Sequence, residues 1–348
     1  MNATTPRFLS MIAPDDWHLH VRDGDALKSV VLYSAKQFKR AIIMPNLNPP
    51  VTTVTQAGAY KKRILDTLPE ETDFTPLMTL YLTDNTSVSE IKKAKESGII
   101  HAIKLYPANA TTNSSLGVTD VKKCFLVFEV MQKMGLPLLL HGETADPAVD
   151  IFDRESVFID TTLTFLSKSF PELKMVLEHV TTKEAVDYVK EANRFLGATI
   201  TPHHLLFNRN HILQGGISPH YYCLPILKKE EDREALINAV SSNNERFFSG
   251  TDSAPHPKKL KEQARGNAGC FSGLHALELY AKAFDENNIL DQLEAFTSIN
   301  GPNFYGLPKN TEKISLKKEK WIIPEELSFG NDTLVPLMAG ETLNWKLQ

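Results

Sequence analysis

The stretch "DDWHLHVRDG", residues 15–24, sets two histidines two positions apart in an apolar run and adds an arginine two positions further on. Read as a strand, its side chains alternate between faces, so His18, His20 and Arg22 point to one side while Trp17, Leu19 and Val21 point to the other. Two neutral imidazoles side by side suit a borderline cation such as zinc, and a guanidinium just beyond them suits an anion held nearby. A His-x-His pair alone does not make a metal site, so further ligands have to come from elsewhere in the chain.

Seven more short apolar runs follow: "RAIIMPN" (40–46), "FTPLMTLYLTD" (74–84), "HAIKLYP" (101–107), "LPLLLHGE" (136–143), "LKMVLEHV" (173–180), "GATITPHHL" (197–205) and "RFFSGTDSAPH" (246–256). Between them lie stretches with helical spacing, such as "TQAGAYKKRILDTL" (55–68), "VSEIKKAKESG" (88–98) and "TKEAVDYVKEANRFL" (182–196). Eight strands alternating with helices predict a (β/α)8 TIM barrel, with a doubly wound open sheet as the structural alternative. A chain of 348 residues accommodates such a barrel as one domain, with the stretch after about Asn310 as a C-terminal appendage.

The 42% hydrophobic and 23% charged fractions are those of a globular protein, and a formal charge of −4 gives no reason to expect nucleic acid or an anionic membrane as a partner. "EKISLKKEKW" (312–321) alternates basic, acidic and apolar residues and reads as a solvated face. The opening "MNATTPRFLSMIAP" has neither a basic segment nor a continuous apolar one, and no run approaches a membrane span, so a cytoplasmic location is expected. Cys124, Cys223 and Cys270 are widely spaced and odd in number, which fits reduced thiols.

Nearly every run carries an ionisable or polar residue at its C-terminal end, and in a parallel barrel those ends converge on one mouth. His18 and His20 close the first run, Asn46 the second, Lys104 the fourth, His141 the fifth, His179 the sixth and Asp252 the eighth. His18, His20 and Asp252 could bind one cation, and His141 and His179 a second. Two close cations need a bridging anion, yet the fourth run ends in a lysine. A desolvated lysine beside cations has a depressed pKa, and as a neutral amine it can add carbon dioxide to become a bridging carbamate. Alone, Lys104 would read as a lysine reaching for water, Arg22 as half of a surface ion pair, Asn46 as a turn residue and His256 as a loop histidine. Adjacent His203 and His204 would face opposite ways on a strand, so neither is assigned to metal. His101, His211, His220 and His275 lack a ligand-like setting. "PANATTNSSLG" (107–117), small and polar, reads as a mobile loop above the mouth.

From Pro14 to Trp345 the segments "DDWHLHVRDGD", "MPNLNPPVTT", "KLYPANATTNSS", "HGE", "EHVTTKEAVDYV", "YCLPILK", "GTDSAPH", "GCF" and "NGPNFYGLP" resemble, in order, those of the amidohydrolase superfamily. The resemblance implies that His18, His20 and Asp252 bind a buried zinc and that His141 and His179 bind a more exposed one. Carbamylated Lys104 and a hydroxide would bridge the two. It further implies the reversible closure of N-carbamoyl-L-aspartate to L-dihydroorotate with loss of water, an early step of pyrimidine synthesis. In that reaction Asp252 would serve as base and then acid. Arg22, Asn46 and His256 would surround the substrate carboxylate, and backbone groups at Leu224 and Ala268 would meet the ring. Thr111 and Thr112 would belong to a lid, and the chain would form a homodimer.

Overall fold

The computed structural model describes residues 7–348. Each of the eight runs supplies one strand to a single parallel sheet, in chain order: Asp15–Leu19, Arg40–Ile43, Thr75–Tyr81, Ile100–Leu105, Leu138–His141, Met175–Glu178, Leu196–Ile200 and Phe247–Ser249. The first and last strands meet through a parallel bridge between Leu19 and Ser253, and the Asp252 amide donates to the His18 carbonyl at 2.9 Å. Asp16 stitches the same seam, its carboxylate accepting from the Thr251 amide (2.8 Å) and hydroxyl (2.6 Å). The result is a (β/α)8 TIM barrel.

The crossover helices start where short polar side chains can satisfy their free amides. Thr53 and Gln56 form a reciprocal capping box on Val54–Thr67, Ser87 caps Val88–Glu96, and Thr182 caps Lys183–Glu191. Outward strand residues such as Ile43, Leu80, Ile103, Leu140, Leu177 and Ile200 pack in one core with apolar residues of these helices. Inward residues Ile42, Leu77, Ala102, Leu139, Val176 and Phe248 form a second layer inside the barrel, closed below by Phe304 and Tyr305.

Trp17 belongs to that inner layer and stacks on Tyr305 with ring centroids 4.4 Å apart. Strict alternation places it outside with Leu19 and Val21, so the expectation for this residue is corrected. The pairing of the first two strands shifts register between Asp16 and Leu19, and this irregularity lets Trp17 and His18 both turn inward. Gly301 makes room for the indole, since a Cβ there would lie 1.9 Å from Trp17 Nε1. A second correction concerns "TPHHL". The seventh strand ends at Ile200, and His203 and His204 lie on a helix, Pro202–Leu206, capped by Thr201. The His204 ring bonds the Thr201 hydroxyl and the Pro225 carbonyl.

"EKISLKKEKW" is not simply a solvated face. Lys313–Ile322 is the central strand of a three-stranded antiparallel sheet, flanked by Phe8–Ile12 and Thr342–Leu347, and Leu316 on it is buried. The C-terminal segment is thus tied to the start of the chain. It docks on the helix Ala276–Glu286, where the buried Glu278 carboxylate accepts from the Leu347 amide at 3.2 Å. Among the described residues no helix is long and apolar enough to cross a membrane, and the three cysteines are free and buried.

Burial raises the Glu278 pKa from 4.5 to about 7. The folded state therefore holds a proton that the unfolded chain releases above its lower pKa. The stability linked to that proton is fully present below pH 4.5 and is lost as pH rises through about 7. Glu278→Gln should accordingly raise the melting temperature above pH 7, by the equivalent of up to about 3 kcal/mol, with the advantage vanishing near pH 4.5. Thermal melts of both proteins across this range check it; an advantage independent of pH would rule out titration of Glu278 as the cause.

Candidate metal centre and active site

The strand ends deliver their polar residues to one concavity. His18, His20, Arg22, Asn46, Thr111, Thr112, His141, His179, Leu224, Asp252 and Ala268, all singled out above, line it together with Tyr106, Ala254 and Gly269. His256 stands at its edge, its Nε2 3.1 Å from Arg22 Nη2. Three residues reach the mouth through left-handed backbone: Arg22 (φ 59°), His179 (φ 44°) and Asp252 (φ 43°). Non-glycine residues adopt this conformation only where surrounding structure enforces it, and such positions cluster at functional sites.

At the first strand, His18 Nε2, His20 Nε2 and Asp252 Oδ1 form a triangle with sides of 3.2, 3.1 and 3.2 Å. Tetrahedral zinc with ligands at about 2.0–2.1 Å has ligand–ligand edges of about 3.3 Å, so one cation fits over this triangle. His18 Nδ1 lies 3.0 Å from Glu178 Oε1. The His179 ring lies 5.1 Å from that of His18, and the His141 and His179 ring centroids are 4.9 Å apart. His141 Nε2 is 2.8 Å from Glu143 Oε2, leaving Nδ1 for a ligand, while His179 Nδ1 is buried without a partner. A carboxylate behind a ligating imidazole is the usual means of fixing its orientation. The His18–His20–Asp252 donors therefore fit one cation, with Glu178 and His179 grouped around His18 beside it, and soft sulfur is not part of this set.

Lys104 is fully buried at the end of the fourth strand, and its ammonium pairs with Glu178 Oε2. Burial lowers the Lys104 pKa and outweighs the opposing pull of Glu178. Burial also disfavours the His18 cation, but the Glu178 and Asp252 carboxylates lift its pKa to about 9. For His20 burial dominates and lowers the pKa to about 4. His256 is held neutral by burial and by Arg22, with a pKa of about 2.

Glu178, Glu143 and Tyr106 are participants that the sequence reading did not single out. Alternation from the inward Val176 would have pointed to Glu178. Nothing local marks Tyr106, whose buried hydroxyl has no partner and whose ring lies 4.8 Å below the Lys104 ammonium. The loop of residues 107–117 rests on the mouth. Asn46 Nδ2 donates to the Thr112 carbonyl (3.2 Å), and Asn113 Nδ2 returns a bond to the Asn46 carbonyl (2.9 Å).

A barrel with this rim of histidines and carboxylates has the construction of a metal-using hydrolase. The sequence profile of the amidohydrolase family matches residues 10–341. The dihydroorotase of Cupriavidus necator is 62% identical over 338 residues, which is 97% of this chain and 98% of that one. Among solved structures, dihydroorotase from Campylobacter jejuni superposes with a TM-score of 0.90 at 38% identity, covering 99% of both chains. Dihydroorotase from Saccharomyces cerevisiae, in complex with 5-fluoroorotic acid, has the same TM-score and coverage at 32% identity. The chain belongs to the amidohydrolase family and, within it, to the dihydroorotases, which are hydrolases of cyclic amides.

Proposed function

We propose that the mouth closes N-carbamoyl-L-aspartate to L-dihydroorotate with loss of water, and reopens the ring, as a step of pyrimidine synthesis in the cytoplasm. The observation that carries this reading is the adjacency, in one concavity, of a three-donor cation triangle to Arg22 and Asn46, with His256 against Arg22 at the edge. The cations would be zinc. His18, His20 and Asp252 would hold one and His141 and His179 the other, with carbamylated Lys104 between them. Burial of Lys104 favours the neutral amine that carbamate formation requires. When bound, the metal pair supplies a nucleophilic water near neutral pH and Lewis acidity toward the ring carbonyl.

The chain's own groups do the rest. In ring opening a C–O bond forms at the amide carbon and the ring C–N bond breaks. Asp252 takes the proton of the attacking water and delivers it to the departing ring nitrogen, so one carboxylate acts as base and then as acid. Arg22, held by the Pro255 carbonyl (2.9 Å) and His256, offers its guanidinium to the substrate carboxylate, and Asn46 completes that subsite. Main-chain groups at Leu224 and Ala268 meet the ring. Thr111 and Thr112 cover it as part of the lid and exclude bulk water.

The deciding experiment follows ultraviolet loss of dihydroorotate on metal-analysed protein beside the same assay with hydantoin. Turnover of dihydroorotate and not of hydantoin supports the reading, and the reverse preference overturns it. Arg22→Lys should raise KM for dihydroorotate by about tenfold or more while kcat changes less, because a point charge replaces a planar two-pronged donor. A ring analogue lacking the carboxylate should be indifferent to the change. Equal losses on both compounds would place Arg22 in the fold or metal site instead.

A further inference from the structure

Two irregular backbone segments reach the mouth, one at Leu224 and the other at Ala268 and Gly269. Neither lies in a strand or helix, and one main-chain bond joins them, from the Gly269 amide to the Tyr222 carbonyl at 3.0 Å. Lys261 stands behind them. It is 3% exposed, and its ammonium donates to the Tyr222 carbonyl at 2.8 Å and to the Gly269 carbonyl at 2.7 Å.

A buried ammonium is retained only where hydrogen bonds replace its water, and here two carbonyls from different segments do so. The surrounding chain is folded to bring this about. Lys261 ends the short helix Lys258–Lys261, after which the chain turns back so that the Asn267 amide bonds the Leu260 carbonyl at 2.9 Å. Gly266 permits the turn, since a Cβ there would lie 2.4 Å from the Lys261 carbonyl oxygen. The lysine thus sits at the closing point of a loop that starts beside His256 and ends at the mouth.

We infer that Lys261 is a positioning residue for substrate binding: by holding the Tyr222 and Gly269 carbonyls on one ammonium, it sets the spacing of the two main-chain edges that meet the cyclic amide. The inference rests on the functional reading above, because it takes Leu224 and Ala268 as the groups that meet the ring. Lys261 does not line the concavity and spends its ammonium on the Tyr222 and Gly269 carbonyls, so its loss should act on binding and leave the bond-making groups in place.

The test is steady-state ring opening of L-dihydroorotate by metal-loaded Lys261→Met and Lys261→Gln, with metal content and hydrogen–deuterium exchange measured on the same preparations. Lys261→Met should raise KM by about tenfold or more while kcat stays within about threefold, since two charge-assisted bonds are lost outside the reacting centre. Exchange should quicken at residues 222–224 and 268–270 while the barrel strands remain protected, with two metals still bound. Lys261→Gln keeps an amide donor and should fall between; if the methionine variant does not fold, this one decides by the same measurements. A folded variant with unchanged KM overturns the inference, as does a loss of kcat alone or an exchange increase spread over the barrel. Wild-type protein that does not turn over dihydroorotate would overturn the functional reading instead, which is distinct from wild-type turnover matched by an unaffected variant.

Discussion

Asp252→Asn should lower kcat by about 10³ or more in ring opening and ring closure alike, while the protein stays folded. Asp252 Oδ1 lies within 3.2 Å of both His18 Nε2 and His20 Nε2, and the side chain lines the mouth, so its carboxylate belongs both to a candidate cation site and to the concavity proposed for the ring. An amide keeps the shape and a weaker oxygen donor but cannot accept and return a proton. Because a catalyst leaves the equilibrium unchanged, the losses in the two directions must match. Steady-state rates in both directions, beside metal analysis, check the expectation. Near-normal rates at normal metal content would remove Asp252 as the proton carrier.

Lys104→Ala should reduce turnover by a comparable factor and bring metal content below two per chain. Formate or acetate at high concentration should restore part of the activity by occupying the position proposed for the carbamate. The structure adds a complication and its control. Lys104 pairs with Glu178 in the barrel interior, both side chains fully buried, so removing the lysine also takes from a buried carboxylate one of its two basic partners, leaving His18. Lys104→Arg keeps a cation for Glu178 but cannot add carbon dioxide. It should therefore be better folded than the alanine variant and equally inactive, and small carboxylic acids should not rescue it. Full activity of Lys104→Ala without added acid would refute the bridging role, and recovery in Lys104→Arg would show that only charge is required.

The barrel was readable because each strand is a short apolar run, and because nearly every run closes on a residue that has no reason to lie in a core. His18, Lys104, His141 and Asp252 are separated by scores of positions, yet parallel closure brings them to one rim. What escaped depends on local backbone. His179 follows Glu178 directly, and alternation would send one of them away from the mouth; a φ of 44° at His179 brings in both. The register shift beside Asp16 does the same for Trp17 and His18. His203 and His204 were misread because a Thr-Pro pair that could end a strand instead opens a helix. These are choices among local conformations that tertiary packing makes, and residue pattern does not record them.

The floor of the barrel has a consequence for traffic. Trp17 lies flat on Tyr305, Phe304 closes in beside them, and Gly301 is pressed so tightly to the indole that not even a methyl group fits. Among the described residues the barrel is thus packed shut at its floor, and the proposed chamber opens at the mouth. Reactant, product and the water exchanged between them must all pass the same rim, so each departing molecule has to clear the space before the next can settle. Widening the range of molecules admitted is accordingly a matter for the loops around the portal, since any space opened at the floor would lead nowhere.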